Sequence, residues 1–202
     1  MKTKHLAMHL SNLEQHPLLD VTLEQYQTEG TLAARWLTVI AQRHTIDGLE
    51  IADLGCGNGI LGIGCLLLGA KHITFFESDL NAIETLHHNL RDVPEQMYTI
   101  VHQHIDEETV LPPHIQMVVM NPPWGVQKTM ADKPFFNAAL SSHATYVHVL
   151  HSSDATHIEN LAQDRGWSCQ KLFNDQFRLP ATYQHHHSRQ QSTSISCWAL
   201  TR

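Results

Sequence analysis

Four consecutive residues of this chain, Asn121-Pro122-Pro123-Trp124, suit chemistry at a planar amino nitrogen. They follow the apolar run 117–120, which we expect to form a short buried strand; the two prolines end that strand and keep Asn121 extended. The amide oxygen of Asn121 and the carbonyl oxygen of Pro122 can accept hydrogen bonds from an exocyclic NH2 group. Trp124 can stack on the plane that carries this amine. The turn therefore predicts methyl transfer to an amino nitrogen, the simpler alternative being a proline-terminated strand whose Trp belongs to the core.

A second group of residues suits a nucleotide-like cofactor. Asp53 is followed by Gly55, Gly57 and Gly59, between an apolar run and a helical pattern that includes Leu61. Glycines at this position let a ligand approach the backbone closely. The spacing also satisfies the dinucleotide fingerprint, but a carboxylate at Asp53 would repel a pyrophosphate and attract a free amino group and a sulfonium. We therefore predict S-adenosylmethionine as the cofactor.

Glu77 follows the next predicted strand, and its distance along the chain from the glycine loop suits a ribose-binding carboxylate. It is placed to accept hydrogen bonds from two ribose hydroxyls, although a carboxylate in a loop is often only solvated. Asp79, two residues later, is expected to cap the following helix.

The elements that must position these residues alternate along the chain. The predicted strands are 49–54, 72–76, 98–101, 117–120, 146–150, 168–173 and 194–200. The predicted helices are 4–15, 32–42, 60–68, 81–90, 135–142 and 157–165. This alternation is typical of an α/β fold with a doubly wound, mostly parallel seven-stranded sheet, which binds ligands at the carboxyl ends of its strands. We expect residues 1–30 to form an N-terminal helical arm, residues 31–202 to form the methyltransferase domain, and residues 184–194 to be a mobile loop.

Composition limits the alternatives. With 202 residues, of which 42% are hydrophobic, the chain suits one well-filled core. Its longest apolar stretch, 60–70, is too short to span a bilayer and the N-terminus lacks a signal-peptide core, so we expect a soluble, cytoplasmic protein. The four cysteines are widely spaced and predict buried, reduced thiols.

The charged residues argue against simple electrostatic capture of nucleic acid. The formal net charge is -7, whereas nucleic-acid binding normally relies on clustered Lys and Arg. The 17 histidines include the runs 87–88, 102–104 and 185–187, but none matches a tetrahedral ligand set. We therefore assign no metal.

The motifs together resemble a known family, the class I S-adenosylmethionine-dependent methyltransferases, and within it the small archaeal and eukaryotic ribosomal RNA adenine-N6 methyltransferases. The matching motifs besides the glycine loop and the Asn-Pro-Pro-Trp turn are Leu23-Glu24-Gln25-Tyr26-x-Thr28, Asp132-x-x-Phe135 and Leu179-Pro180-Ala181-x-Tyr183. The resemblance implies that Gln25 and Thr28 close over the methionine end of the cofactor, while Tyr26 either packs the arm onto the sheet or contacts the ligand. It also implies a small zinc-binding activator protein in the eukaryotic relatives.

The chain departs from this family at several positions. Trp124 stands where the family usually has Phe, and the acidic residue that usually binds the adenine amine of the cofactor is replaced by His104, with Asp106 two residues later. The family's basic run after the Leu-Pro-Ala-x-Tyr motif is replaced by 184–189, which is rich in His and Gln. This last change weakens the prediction of RNA more than that of methyl transfer.

The resemblance implies an enzyme that methylates the N6 amine of a flipped-out adenosine in structured ribosomal RNA. A protein glutamine N5-methyltransferase is the nearest alternative, because a side-chain amide also presents a planar NH2 group. An inactive cofactor-binding scaffold subunit is the alternative from a different class.

Overall fold

Strands and helices alternate through the computed structural model, which describes residues 1–15, 28–124, 130–178 and 192–202. The strands are β1 (Glu50–Leu54), β2 (His72–Glu77), β3 (Tyr98–His102), β4 (Met117–Met120), β5 (Tyr146–Ser152), β6 (Ser168–Arg178) and β7 (Ser192–Thr201). The helices are α1 (Thr3–Ser11), α2 (Gly30–Arg43), α3 (Ile60–Leu67), α4 (Leu80–Asn89), α5 (Lys133–Ser141) and α6 (His157–Gln163), with a short 3-10 helix at Glu95–Met97. The predicted order of elements is confirmed.

Most boundaries lie within two residues of the sequence prediction, but α1 ends at Ser11 rather than at residue 15, and the region of β6 and β7 also differs. β6 continues past its predicted end at residue 173 to Arg178, because it forms a long antiparallel ladder with β7. Residues 192–194, predicted as the end of a mobile loop, belong to β7 for the same reason. The rest of that predicted loop lies outside the described residues.

The strands form one sheet in the order β3-β2-β1-β4-β5-β7-β6. Pairs between neighbours from β3 to β5 are parallel, whereas β7 runs antiparallel to both β5 and β6. The sheet is therefore doubly wound, mostly parallel and seven-stranded, as predicted. A reversal of strand order lies between β1 and β4, and such a position opens a crevice at the carboxyl ends of the strands.

The register brings the chemically interesting residues to one edge. Leu54, the last residue of β1, pairs with Phe76 in β2 and with Met120 in β4. The next residue on each strand is therefore at the same level of the sheet, which places Glu77 and Asn121 on either side of the start of the glycine loop.

Buried side chains form two hydrophobic clusters. Val118 of β4 belongs to one and Val119 to the other, because successive side chains of a strand point to opposite faces of the sheet. The cluster that includes Val119 also contains Leu6 and Leu10 of α1. The N-terminal helix is thus packed into the main core.

Close helix contacts hold α1 against its neighbours. A Cβ atom on Gly30 would lie 2.6 Å from the backbone nitrogen of Ser11, and one on Gly64 would lie 2.2 Å from a methyl carbon of Leu37. Glycine is therefore needed where α1 meets α2, because the close atoms there include backbone, whereas α2 meets α3 at Gly64 through a leucine side chain. In the described parts of the chain, every helix is too short or too polar to cross a bilayer.

Candidate active site

Asn121 lies at the carboxyl end of β4 with both ends of its side-chain amide engaged. Its Nδ2 donates to the Thr28 hydroxyl oxygen at 3.1 Å, and its Oδ1 accepts from the Trp124 indole nitrogen at 3.1 Å. These two bonds fix which end of the amide faces which neighbour, because the indole nitrogen can only donate. The amide oxygen is thereby oriented within the turn before any substrate arrives.

Trp124 is half-buried beside the same turn. Its ring packs against the core cluster that contains Val119, and its centroid lies 6.2 Å from that of His151 at an interplanar angle of 36°. The sequence left open whether this Trp belongs to the core or is available for stacking, and the structure shows partial exposure together with partial packing. Pro122 and Pro123 complete the turn, with Pro122 buried.

The glycine loop begins at the end of β1 and turns into α3. Gly55, Gly57 and Gly59 all have positive φ, at 65°, 54° and 85°. A Cβ atom on Gly59 would lie 2.3 Å from Leu86, whereas one on Gly57 would meet no atom within 4 Å. The backbone at Gly57 therefore borders open space that a ligand can occupy, while Gly59 serves close packing.

Asp53 lies beneath this loop and is 1% exposed. Its Oδ2 accepts a hydrogen bond from the backbone N–H of Gly62 at 2.8 Å, in the first turn of α3. Burial, aided by the nearby charge of Glu77, raises the pKa of Asp53 to about 7 despite the bond from Gly62. A cation placed next to this carboxylate would be attracted to it and would favour its charged form. Leu61, also predicted for the cofactor site, has its side chain in the hydrophobic core.

Glu77 is buried at the end of β2 and is held by backbone amides. Its Oε2 accepts from Gly57 N at 2.8 Å, and its Oε1 accepts from Ser78 N at 2.8 Å and from Asp79 N at 3.0 Å. The carboxylate is thus fixed against the glycine loop. Asp79 caps α4 as predicted, since its side chain accepts from the backbone N–H of Asn81.

Residues on both sides of the undescribed stretch 16–27 are anchored at this site through contacts that the sequence did not predict. Before the undescribed residues 16–27, the carbonyl oxygen of Glu14 accepts hydrogen bonds from the side-chain amides of Asn58 and Asn89, at 3.0 and 3.1 Å. After them, Thr28 is 5% exposed and bonds to Asn121. Glu14 is therefore attached to the glycine loop, and Thr28 to the Asn-Pro-Pro-Trp turn. The side-chain amides of Asn58, in the glycine loop, and Asn121, in the Asn-Pro-Pro motif, were the features of the sequence that could have indicated these contacts.

His104 and Asp106 both lie beyond the end of β3 and are exposed. The Asp106 carboxylate accepts from the Thr109 hydroxyl at 2.9 Å and from Glu108 N at 3.0 Å. The hydrogen bond from the Thr109 side chain is the main reason why the pKa of Asp106 is lowered. Asp106 thus stabilises a turn within its own loop.

Several predicted site residues lie outside the described part of the chain. They are Gln25, with the rest of the Leu-Glu-Gln-Tyr motif, and the Leu-Pro-Ala-x-Tyr motif; the histidine run 185–187 lies outside it as well.

Three further residues come together near Trp124 that the sequence analysis did not connect. Asp132 lies between His151 and His157, and one ligand atom from each lies within 4.8 Å of the others. Asp132 and His151 are buried. Residues so far apart in the chain carry no local spacing signal, and the sequence analysis had assigned no metal.

Comparisons with known proteins show which family the chain resembles in sequence and in structure. The family model described as methyltransferase small domain matches residues 34–145. An uncharacterised protein of Methanocaldococcus jannaschii is 33% identical, covering 92% of this chain and 88% of its own length. The rRNA N(6)-adenosine-methyltransferase METTL5 of Danio rerio is 29% identical over 92% of both chains.

A solved structure is similar over the whole length. The crystal structure of a protein of Pyrococcus horikoshii proposed to be an RNA methyltransferase superposes with a TM-score of 0.89 and 28% identity, covering 100% of this chain and 98% of the other. The family model extends from within α2 to the residue before β5, and so includes the glycine loop, Glu77 and the Asn-Pro-Pro-Trp turn. By this match, and by its relatives along nearly its full length, the chain belongs to the methyltransferase small domain family.

Proposed function

We propose that this protein transfers a methyl group from S-adenosylmethionine to the N6 amine of adenosine in ribosomal RNA. The observation that carries the proposal is the oriented Asn121 amide, held by Thr28 and Trp124 at the sheet edge where the glycine loop begins. The similarity to METTL5 supports adenosine in rRNA over other carriers of a planar amine.

The residues around the glycine loop suit S-adenosylmethionine, which supplies an electrophilic methyl group on a sulfonium. Gly57 leaves open space at the loop, Asp53 provides a carboxylate for the cationic methionine end, and Glu77 provides one for the ribose hydroxyls. Because Asp106 already serves its own turn, we assign the adenine edge to His104. The contacts of Glu14 and Thr28 with the glycine loop and Asn121 support the role that the family resemblance implies for Gln25 and Thr28 at the methionine end of the cofactor.

The target adenine would leave its RNA stack and lie against Trp124, with its N6 amine donating to the Asn121 and Pro122 oxygens. These hydrogen bonds align the nitrogen lone pair with the methyl group. As the S–C bond breaks and the N–C bond forms, the positive charge moves from the sulfonium to the nitrogen, which then readily loses a proton to solvent. Orientation therefore supplies most of the catalysis and no strong base is needed. Pro122 and Pro123 contribute by keeping the turn rigid.

The experiment is incubation of the purified protein with radiolabelled S-adenosylmethionine and with RNA and protein fractions of cells that lack it. Label in rRNA, recovered as N6-methyladenosine after nuclease digestion, is the expected result. Label in protein only, recovered as N5-methylglutamine, would replace the proposal with the glutamine alternative. Cofactor binding at one per chain without any label would favour a scaffold subunit. Each arm is run with and without cell extract, so that a required activator protein is supplied.

A further inference from the structure

Asp132 is the centre of a buried cluster that the methyl-transfer mechanism does not use. Its Oδ2 lies 3.1 Å from His151 Nε2 and 2.6 Å from His157 Nε2. We call these three residues the His–Asp–His cluster. His151 has 2% of its side chain exposed and Asp132 has 7%, whereas His157 has 46% and borders solvent.

The geometry favours a cluster held together by hydrogen bonds over a metal site. Both Nε2–Oδ2 distances are those of N–H···O bonds. Burial raises the pKa of Asp132, but the hydrogen bonds from His151 and His157 outweigh it and leave the pKa lower than usual, so the carboxylate is charged and accepts from both rings. The Nδ1 atom of His151 is buried and has no hydrogen-bond partner within the described residues. A metal-bound histidine normally donates this second N–H to an acceptor, whereas a ring that donates through Nε2 leaves Nδ1 as an acceptor only.

The cluster joins three elements at the end of the segment that starts with the catalytic turn. Asp132 is the residue before α5, His151 lies in β5, and His157 begins α6. Two residues before Asp132, Met130 has a φ of 62°, a conformation that a non-glycine residue keeps only where its surroundings hold it. On the other side, the His151 ring lies 6.2 Å from Trp124. Through the His151 ring, the cluster therefore reaches the aromatic residue of the Asn-Pro-Pro-Trp turn.

We propose that Asp132 and His157 fix the His151 ring, and that this ring holds Trp124 in the orientation that stacks on the target base. The three residues are positioning residues for the reaction, and the kinetic part of this inference rests on the proposed function. His157 lies at the exposed end of the cluster, which makes it the most informative residue to change.

The test follows Trp124 by 19F NMR of protein labelled with 5-fluorotryptophan, in which Trp124→Phe identifies one resonance among the four tryptophans. His157→Ala removes a half-exposed ring that carries one hydrogen bond to Asp132, so the fold should survive. We expect the Trp124 resonance to shift or broaden and the resonances of the other tryptophans to stay. His157→Gln, which keeps a donor, should restore the wild-type position. The matched control is His114→Ala, a half-exposed histidine elsewhere.

The same variants are assayed for methylation. His157→Ala should lower kcat/KM for RNA by roughly 10-fold while the Kd for S-adenosylmethionine stays within about twofold, since displacing a positioning group mainly affects alignment. An unchanged Trp124 resonance in His157→Ala would overturn the proposal, and so would stoichiometric Zn²⁺ binding that His157→Ala abolishes. The NMR measurement needs no substrate, so it decides the structural claim even if the wild-type protein methylates no RNA.

Discussion

At the scale of single residues, the site depends on side chains whose polar atoms are fixed in advance. Asn121 is bonded at both ends, and Glu77 accepts three backbone amides. Such fixed dipoles need no rearrangement when the substrate arrives, which is how an enzyme lowers a barrier without a strong acid or base. In the proposed mechanism, Asn121 serves the substrate and Glu77 serves the cofactor.

Replacing Asn121 by Ala should abolish turnover and leave cofactor affinity nearly intact. The variant loses the oxygen that orients the amine but keeps the glycine loop, and we expect kcat to fall by at least about 100-fold. Isothermal titration with S-adenosylmethionine and a single-turnover assay measure the two effects. Loss of cofactor binding in this variant would show that Asn121 serves the cofactor instead.

Cofactor affinity should depend on pH through Asp53. Because its pKa lies at about 7 in the protein without cofactor, the carboxylate is increasingly neutral below that pH and loses its attraction for the cation. We expect the Kd for S-adenosylmethionine to rise by up to about 10-fold per pH unit below 7. Titrations at pH 7.5, 6.5 and 5.5 test this. Asp53→Asn should bind more weakly at pH 7.5 and lose this dependence, and a pH-independent Kd in the wild type would contradict the role given to Asp53.

At the scale of elements, the register of the sheet and a few close helix contacts place the site. Glu77, the glycine loop and Asn121 meet because β1, β2 and β4 end at one level. The arm reaches them because α1 packs against α2 and α3 and continues to Glu14, which bonds to Asn58 in the glycine loop. The stability of α1 and the contact between Glu14 and the glycine loop should therefore be linked.

Substituting Gly30 by Ala should loosen α1. The added Cβ would lie 2.4 to 2.8 Å from Ser11 atoms, two of which are backbone, so the helices must separate. We expect a loss of roughly 1–3 kcal/mol in the free energy of unfolding, although Ala favours helix more than Gly. Urea denaturation measures it, and Thr31→Ala, at an exposed position in the same turn, is the control. A Gly30→Ala protein as stable as the wild type would show that this contact can relax.

At the scale of the whole molecule, two buried groups on different strands oppose each other in their effect on stability. Burial, together with the charge of His44, lowers the pKa of His148 from 6.5 to about 3, whereas burial raises the pKa of Asp53 from 3.8 to about 7. Between about pH 4 and 6.5 the unfolded chain binds a proton at His148 that the folded chain does not, so this group makes the fold less stable as pH falls. Asp53 does the reverse, since the folded chain holds its proton there and the unfolded chain does not.

The two contributions should nearly cancel in the wild type and become visible in single variants. Relative to the wild type, Asp53→Asn should lose stability as pH falls from 6.5 to 4, and His148→Gln should gain it, each by roughly 1 kcal/mol per pH unit. Urea denaturation at half-unit steps gives both differences, and comparison with the wild type removes the contribution of all other groups. Parallel curves for the three proteins would disprove the opposition.

The sequence by itself determined the order of the elements, the glycine loop after β1 and the Asn-Pro-Pro-Trp turn after β4. These features are glycines, paired prolines and alternating apolar runs, and each acts over a few residues. The segment that carries them therefore determines its own local structure. Strand identity followed from the same patterns, and the β6 boundary was missed because its length depends on pairing with β7.

Only the tertiary structure decided which distant residues complete the site. The bond from Asn121 to Thr28 spans 93 positions and that from Asn58 to Glu14 spans 44, and both exist only because strand order and helix packing bring those segments together. The His–Asp–His cluster likewise joins residues of β5 and α6 to the buried Asp132 before α5. Such contacts form where burial removes water and leaves polar groups dependent on one another, and that environment is a property of the packed molecule.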